Sequence, residues 1–197
     1  MNPRWKYSPI EKVLNNVEEP YRSSCLKILS ENRKLFQTVQ GSANNHQAWP
    51  GGYFDHLQEV LNIAVALYPF LDDFRLLHFT LSEALVALFF HDIEKPWKYI
   101  LGEDDQLHIK PELVSKEAQH AYKMKKIKEY GIELTPGIEN AIKYAEGELS
   151  DYSFRRRVMS PLAAFCHMCD VCSARIWFDC PPESPNPWTG GRIRDAS

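Results

Sequence analysis

Apolar residues recur along this chain at helical rather than strand spacing. Cys25, Ile28, Leu29 and Phe36 fall near one face of a helix predicted over residues 21–39. After a loop rich in Asn, Gly and Pro over 41–52, Leu57, Val60, Leu61, Ala64 and Val65 repeat the i, i+3, i+4, i+7, i+8 pattern of a second helix. Thr80-Leu81-Ser82-Glu83 is a capping box, in which the hydroxyl satisfies a backbone N–H and the glutamate reaches back to another. It opens a strongly apolar helix that must break before Pro96, because proline crowds the preceding residue out of helical geometry.

The remaining elements are predicted by their ends. Ser8-Pro9-Ile10-Glu11 is a further capping box, with proline at the first helical position and a stop near Pro20. Residues 115–130 form a charged helix with Gly131 placed to end it. Thr135-Pro136 opens a helix to about 146, and Ser160-Pro161 opens the last long one, to about 178. Residues 101–111 predict a connection or a small hairpin. Residues 181–197 hold four of the 13 prolines and two adjacent glycines, so they read as an irregular tail. No internal repeat is evident and strand-type alternation is scarce. The predicted class is all-α, with one domain over 1–180 and the tail at 181–197.

Composition narrows the class of function. A length of 197 residues suits one domain, and 44% hydrophobic residues suffice for a core. The net charge of −3 gives no global basic field for nonspecific nucleic-acid binding, so an anionic substrate must be held by local Lys, Arg or a metal. Five cysteines, four of them late, make poor arithmetic for a disulfide framework. Residues 1–7 are polar and aromatic rather than signal-like, and apolar stretches such as 84–90 are too short to span a bilayer. These features lead us to expect a reduced, soluble, cytoplasmic protein with no membrane partner.

The chemistry concentrates in Phe89-Phe90-His91-Asp92-Ile93-Glu94-Lys95-Pro96. An imidazole beside a carboxylate at the end of an apolar run is expensive to bury unless something uses both. A metal ion does, since neutral His and ionised Asp both ligate. His56 follows Gly51-Gly52, whose lack of side chains allows close backbone approach at a helix start. Asp170 lies inside an apolar helical run, where it either faces solvent or carries a burial cost that a cation offsets. His167, one turn earlier, is a candidate partner to a ligand.

In this order, His56, then His91-Asp92, then a late helical Asp170, the chain resembles the HD-domain metal-dependent phosphohydrolases. The approach Trp49-Pro50-Gly51-Gly52-Tyr53-Phe54-Asp55-His56 is similar to that family's entry to its first ligand. His91-Asp92 with Lys95 is similar to its His-Asp-x-x-Lys form. The resemblance covers about residues 46–178. It implies an HD-domain-like helical bundle in which His56, His91, Asp92 and Asp170 bind one divalent ion, whether Mn, Fe, Co, Ni, Zn or Mg. It implies a phosphoester substrate, a nucleotide first of all and a nucleic-acid end as another case; a homo-oligomer stays open.

Some HD proteins hold two metals, with further histidines between the pair and the last aspartate. His120 resembles the first of these; near Lys143-Tyr144-Ala145-Glu146 no histidine occurs, so Glu146 would substitute or the second site is absent. One or two ions per chain therefore stay open, as does a role for His120 in proton transfer or phosphate contact. Lys95 is the candidate transition-state cation beside Asp92, or a solvated lysine favoured by the helix C-terminus. Glu94 either lies exposed or pairs with Lys95 or Lys98. Arg155, Arg156 and Arg157 are candidate binders of phosphate, or a solvated run. Lys123, Lys125, Lys126 and Lys128 follow the same logic, and Trp97 and Tyr99 either stack on a base or pack at the rim. Cys166, Cys169, Cys172 and Cys180 resemble a cluster-binding run, but the spacing and helical context favour core packing. The expected function is metal-dependent hydrolysis of a nucleotide or related phosphoester. The alternatives are a mixed-valent di-iron oxygenase and a non-catalytic nucleotide-binding module.

Overall fold

The computed structural model describes residues 8–42, 45–101 and 107–179. Helices α1 (Ile10–Val13), α2 (Tyr21–Phe36), α3 (Gly52–Phe74) and α4 (Leu81–Phe90) are followed by the short α5 (Lys95–Lys98). Strands β1 (Tyr99–Leu101) and β2 (Leu107–Ile109) come next, then α6 (Lys116–Glu129), α7 (Pro136–Tyr144) and α8 (Pro161–Ile176). The described chain is thus helical, with one small hairpin in the segment where a connection or hairpin was predicted. Tyr99 pairs with Ile109 in an antiparallel register. The predicted irregular tail and Cys180 lie outside the described residues.

Helices α3, α4, α7 and α8 pack against one another and form the core. Helix α4 is apolar all round because it is covered on every side: every residue from Ala84 to Phe90 is buried. The predicted capping box at its start forms, with Thr80 Oγ1 accepting from Glu83 N at 3.1 Å and Glu83 Oε2 accepting from Thr80 N at 2.8 Å. Hydroxyls of Ser115, Thr135 and Ser160 cap α6, α7 and α8 in the same way.

The start of α1 differs from the expected capping box. Its Ile10 N donates to Gln58 Oε1 at 2.9 Å, and Ser8 N donates to Asn62 Oδ1 at 2.9 Å, both from α3. Gln58 and Asn62 are buried and need partners, so the open end of a one-turn helix satisfies them. Among the described residues no helix is long and apolar enough to cross a membrane.

Candidate metal centre

Three separate turns of chain converge at one end of the core. Gly51 has φ 85°, a left-handed conformation that lets the loop swing into α3, and His56 follows in that helix. A Cβ on Gly52 would collide with the Gln47 carbonyl oxygen, so only glycine lets the 45–50 loop lie against the start of α3. His91 ends α4, and Asp92 begins the turn in which Lys95 N donates to Asp92 O at 3.0 Å. Asp170 projects from the middle of α8.

The side-chain tips meet closely. His56 Nε2 lies 3.3 Å from His91 Nε2. Asp92 Oδ2 is 3.6 Å from the first and 3.3 Å from the second. Asp170 Oδ1 is 3.2 Å from His56 Nε2 and 3.4 Å from His91 Nε2. Ligand atoms about 2.1 Å from one tetrahedral centre stand about 3.4 Å apart, so the spacings among His56, His91 and Asp170 suit a coordination sphere. His91 Nδ1 donates to the Leu88 carbonyl at 2.6 Å, which leaves Nε2 facing the cluster. His56, His91 and Asp92 are buried, while Asp170 keeps 13% of its side chain exposed and marks the open side.

Electrostatics tell the same story. Burial disfavours charge on His91, yet Asp92 and Asp170 overcome it and raise its pKa to about 10. Burial likewise works against ionised Asp92, but Lys95 and His91 hold it well below the usual carboxylate range. Asp170 is lowered, against its own burial, by the His56 and His91 imidazoles beside it. His56 is lowered by burial. Without an ion, then, a proton on His91 supplies positive charge between two carboxylates. Asp92 Oδ1 is buried with no hydrogen-bond partner, an orphaned anionic oxygen of the kind a cation satisfies. The donor set and its orphan fit a divalent ion.

Lysines surround the pair from behind. Lys95 Nζ is 2.5 Å from Asp92 Oδ2 and almost fully buried. Burial opposes its charge, but Asp92 raises its pKa so that it stays protonated. Lys123, expected among the surface lysines, is buried: its ammonium donates to the His91 carbonyl and lies 3.4 Å from Glu94 Oε2. Glu94 is therefore buried and paired with Lys123, neither exposed nor on Lys95 or Lys98.

His56, His91 and Asp170 offer donor atoms within 4.8 Å of one another, and neither His120 nor Glu146 is part of that group. His120 is half-buried on α6, with Lys123, Glu139 and Lys143 as its charged surroundings. Glu146 is exposed and ion-paired with Lys116, although its charge reaches Lys95. Arg155, Arg156 and Arg157 are exposed before α8, next to Phe154, which is 85% exposed. Trp97 packs edge-on against Phe36. His167 Nδ1 is 2.7 Å from the Ala145 carbonyl, so it ties α8 to the end of α7 rather than supporting a ligand. Cys166 and Cys169 are buried free thiols whose pKa values burial raises, and Cys172 is half-buried.

Sequence reasoning missed four residues here. His46 lies with its ring 5.2 Å from that of His56, and burial and Lys95 push its pKa down to about 4. Ser173 Oγ is 2.9 Å from His56 Nδ1, Glu59 Oε2 is 2.6 Å from Ser173 Oγ, and Gln47 reaches Ser173 as well. The signal for two of them was present: Glu59 is three residues after His56, and Ser173 three after Asp170, each on its ligand's helix face.

No protein-family model matches this chain, and no curated protein or solved structure shows significant similarity to it. What the geometry establishes is a buried His56–His91–Asp170 group, with Asp92 against it, that could hold a metal ion.

Proposed function

We propose that this chain is a metal-dependent phosphohydrolase of HD-domain type, acting on a nucleotide or a related phosphoester. The observation that carries the proposal is the His56 and His91 imidazole pair with the Asp92 and Asp170 carboxylates each 3.2–3.6 Å from both, and the Lys95 ammonium against Asp92. His56, His91, Asp92 and Asp170 would hold the ion. When bound, a divalent ion supplies Lewis acidity and lowers the pKa of water.

The chain's own residues do the rest. Burial of three donors lowers the local dielectric, so each charge there acts more strongly than in water. Lys95 keeps Asp92 ionised and carries the positive charge that a phosphoryl transition state calls for. Lys123 anchors the His91 backbone and keeps the His-Asp turn in place. The partly exposed side of Asp170 is the approach for substrate.

The test is a screen of deoxynucleoside mono- and triphosphates and cyclic dinucleotides against the protein loaded with Mn²⁺ or Co²⁺. Turnover that disappears in a folded Asp92→Ala variant is the expected result; unchanged turnover in that variant sinks the assignment. The surroundings of His120 and the Lys116 pair on Glu146 favour one ion over the two a di-iron oxygenase needs. Tight nucleotide binding without turnover under any metal would support the binding-module reading instead.

A further inference from the structure

Ser173 is fully buried, and its hydroxyl uses all three of its hydrogen-bonding directions. A serine hydroxyl has one proton to give and two lone pairs to receive with. Once Glu59 is ionised, the 2.6 Å contact with its Oε2 takes the proton, because a carboxylate only accepts. The two lone pairs face His56 Nδ1 at 2.9 Å and Gln47 Nε2 at 3.3 Å. His56 Nδ1 must therefore carry its proton, which leaves the His56 Nε2 lone pair to face His91, Asp92 and Asp170.

Gln47 is held with unusual firmness. Its φ of 42° is a left-handed conformation that a non-glycine residue adopts only when its surroundings impose it. Gly41 N donates to its carbonyl at 2.9 Å, and its own N–H donates to the Phe178 carbonyl at 2.8 Å. Its side-chain amide donates to the Ser173 carbonyl at 3.1 Å, which fixes that amide's orientation. Its Oε1 is then free to accept from His46 Nδ1 at 2.6 Å.

We propose that Glu59, acting through Ser173 and braced by Gln47, is a positioning device that sets the proton on His56 Nδ1 and so presents the Nε2 lone pair to the metal. This rests on the metal-site reading above. Glu59 and Ser173 touch neither substrate nor ion; they act through His56. Without the Glu59 acceptor the Ser173 hydroxyl is free to turn and donate to Nδ1, moving the imidazole proton to Nε2 and blocking the ligand atom. Groups in this position behind ligating histidines set tautomer and ring orientation, and losing them weakens metal affinity about 10- to 100-fold.

The experiment uses the full chain in four variants, Ser173→Ala, Ser173→Thr, Glu59→Met and Glu59→Gln, with two readouts. Long-range ¹H–¹⁵N correlation of the metal-free protein at about pH 8.5, where Glu59 is ionised, reports the His56 tautomer, and Co²⁺ titration reports affinity by its absorption band. Expected are the Nδ1–H tautomer in the wild type, a shift towards Nε2–H in Ser173→Ala and Glu59→Met, and Co²⁺ binding weaker by about 10- to 100-fold in both. Ser173→Thr and Glu59→Gln keep the hydroxyl and the acceptor, and both readouts stay close to wild type. An unchanged tautomer in a folded Ser173→Ala or Glu59→Met overturns the proposal. If the wild type binds no Co²⁺, the metal reading falls while the tautomer still decides the relay. Should Ser173→Ala fail to fold, Glu59→Met, at a half-buried position, carries the same test.

Discussion

The Lys95 ammonium stands 2.5 Å from Asp92 Oδ2, the same oxygen that lies 3.3 Å from His91 Nε2. One buried carboxylate oxygen thus has two cationic neighbours when no metal is bound. Removing the lysine leaves a buried carboxylate with less compensation than its burial requires. Lys95→Met is expected to lower unfolding free energy in EDTA by about 3–5 kcal/mol. Saturating Co²⁺ should recover part of this. Urea titrations with and without metal test both, and an unchanged midpoint in EDTA contradicts the idea.

The cluster should take up one ion per chain. His120→Ala and Glu146→Ala leave the stoichiometry at one, because neither side chain belongs to the donor group. His56→Ala and Asp170→Ala abolish uptake. A metal concentration about 100-fold above Kd should stabilise the wild type by about 2.7 kcal/mol and these two variants not at all. Metal analysis after gel filtration, beside thermal melts, measures both; two ions in the wild type, falling to one in His120→Ala, would restore the dinuclear alternative.

Glu59 gives the fold a dependence on pH. Burial raises its pKa from 4.5 to about 7, with the Ser173 hydrogen bond opposing the rise and Asp55 adding to it. The folded state therefore holds its proton longer than the unfolded state does. The stability this provides is full below about pH 4.5 and is lost as pH rises to about 7, a swing on the order of 3 kcal/mol. Glu59→Gln cannot ionise, so its stability curve should rise relative to wild type by that amount across this window. Denaturant titrations at a series of pH values would show parallel curves if Glu59 were not responsible.

Gly52 and Gly131 separate two reasons for a glycine. A Cβ at Gly52 meets the Gln47 carbonyl, while one at Gly131 meets nothing within 4 Å and only the positive φ of 70° resists it. Gly131→Ala is expected to cost about 1 kcal/mol. Gly52→Ala must push the 45–50 loop off α3, and should cost at least about 2 kcal/mol and weaken Co²⁺ binding as Gln47 leaves Ser173. Equal costs at the two positions, measured by chemical denaturation, would refute this account.

The helices were legible because each carries its own local signals. Thr80, Ser115, Thr135 and Ser160 all cap as their sequences predict, since a hydroxyl three residues from a free N–H needs nothing from the rest of the fold. Ser8 failed for the converse reason: buried Gln58 and Asn62 on α3 claim the end of α1, and they lie about fifty residues away in sequence. Glu94 and Lys123 look like ordinary surface charges in the sequence, but packing of α6 behind the His-Asp turn buries and pairs them.

By itself the sequence determined the helical class, the ends of most helices, and the four residues His56, His91, Asp92 and Asp170 as candidates for one site. Periodicity and caps, which are local, carry the class and the helix ends; residue chemistry together with the resemblance to HD-domain proteins carries the grouping of the four residues. Only the tertiary structure decided that the Asp92 and Asp170 carboxylates each lie 3.2–3.6 Å from both imidazoles and that His120 and Glu146 stand outside the His56–His91–Asp170 group. It alone joined Glu59, Gln47 and Ser173 behind His56. A hydrogen bond between residues more than a hundred positions apart depends on how α3, α8 and a strained loop pack together, and no local pattern encodes that geometry.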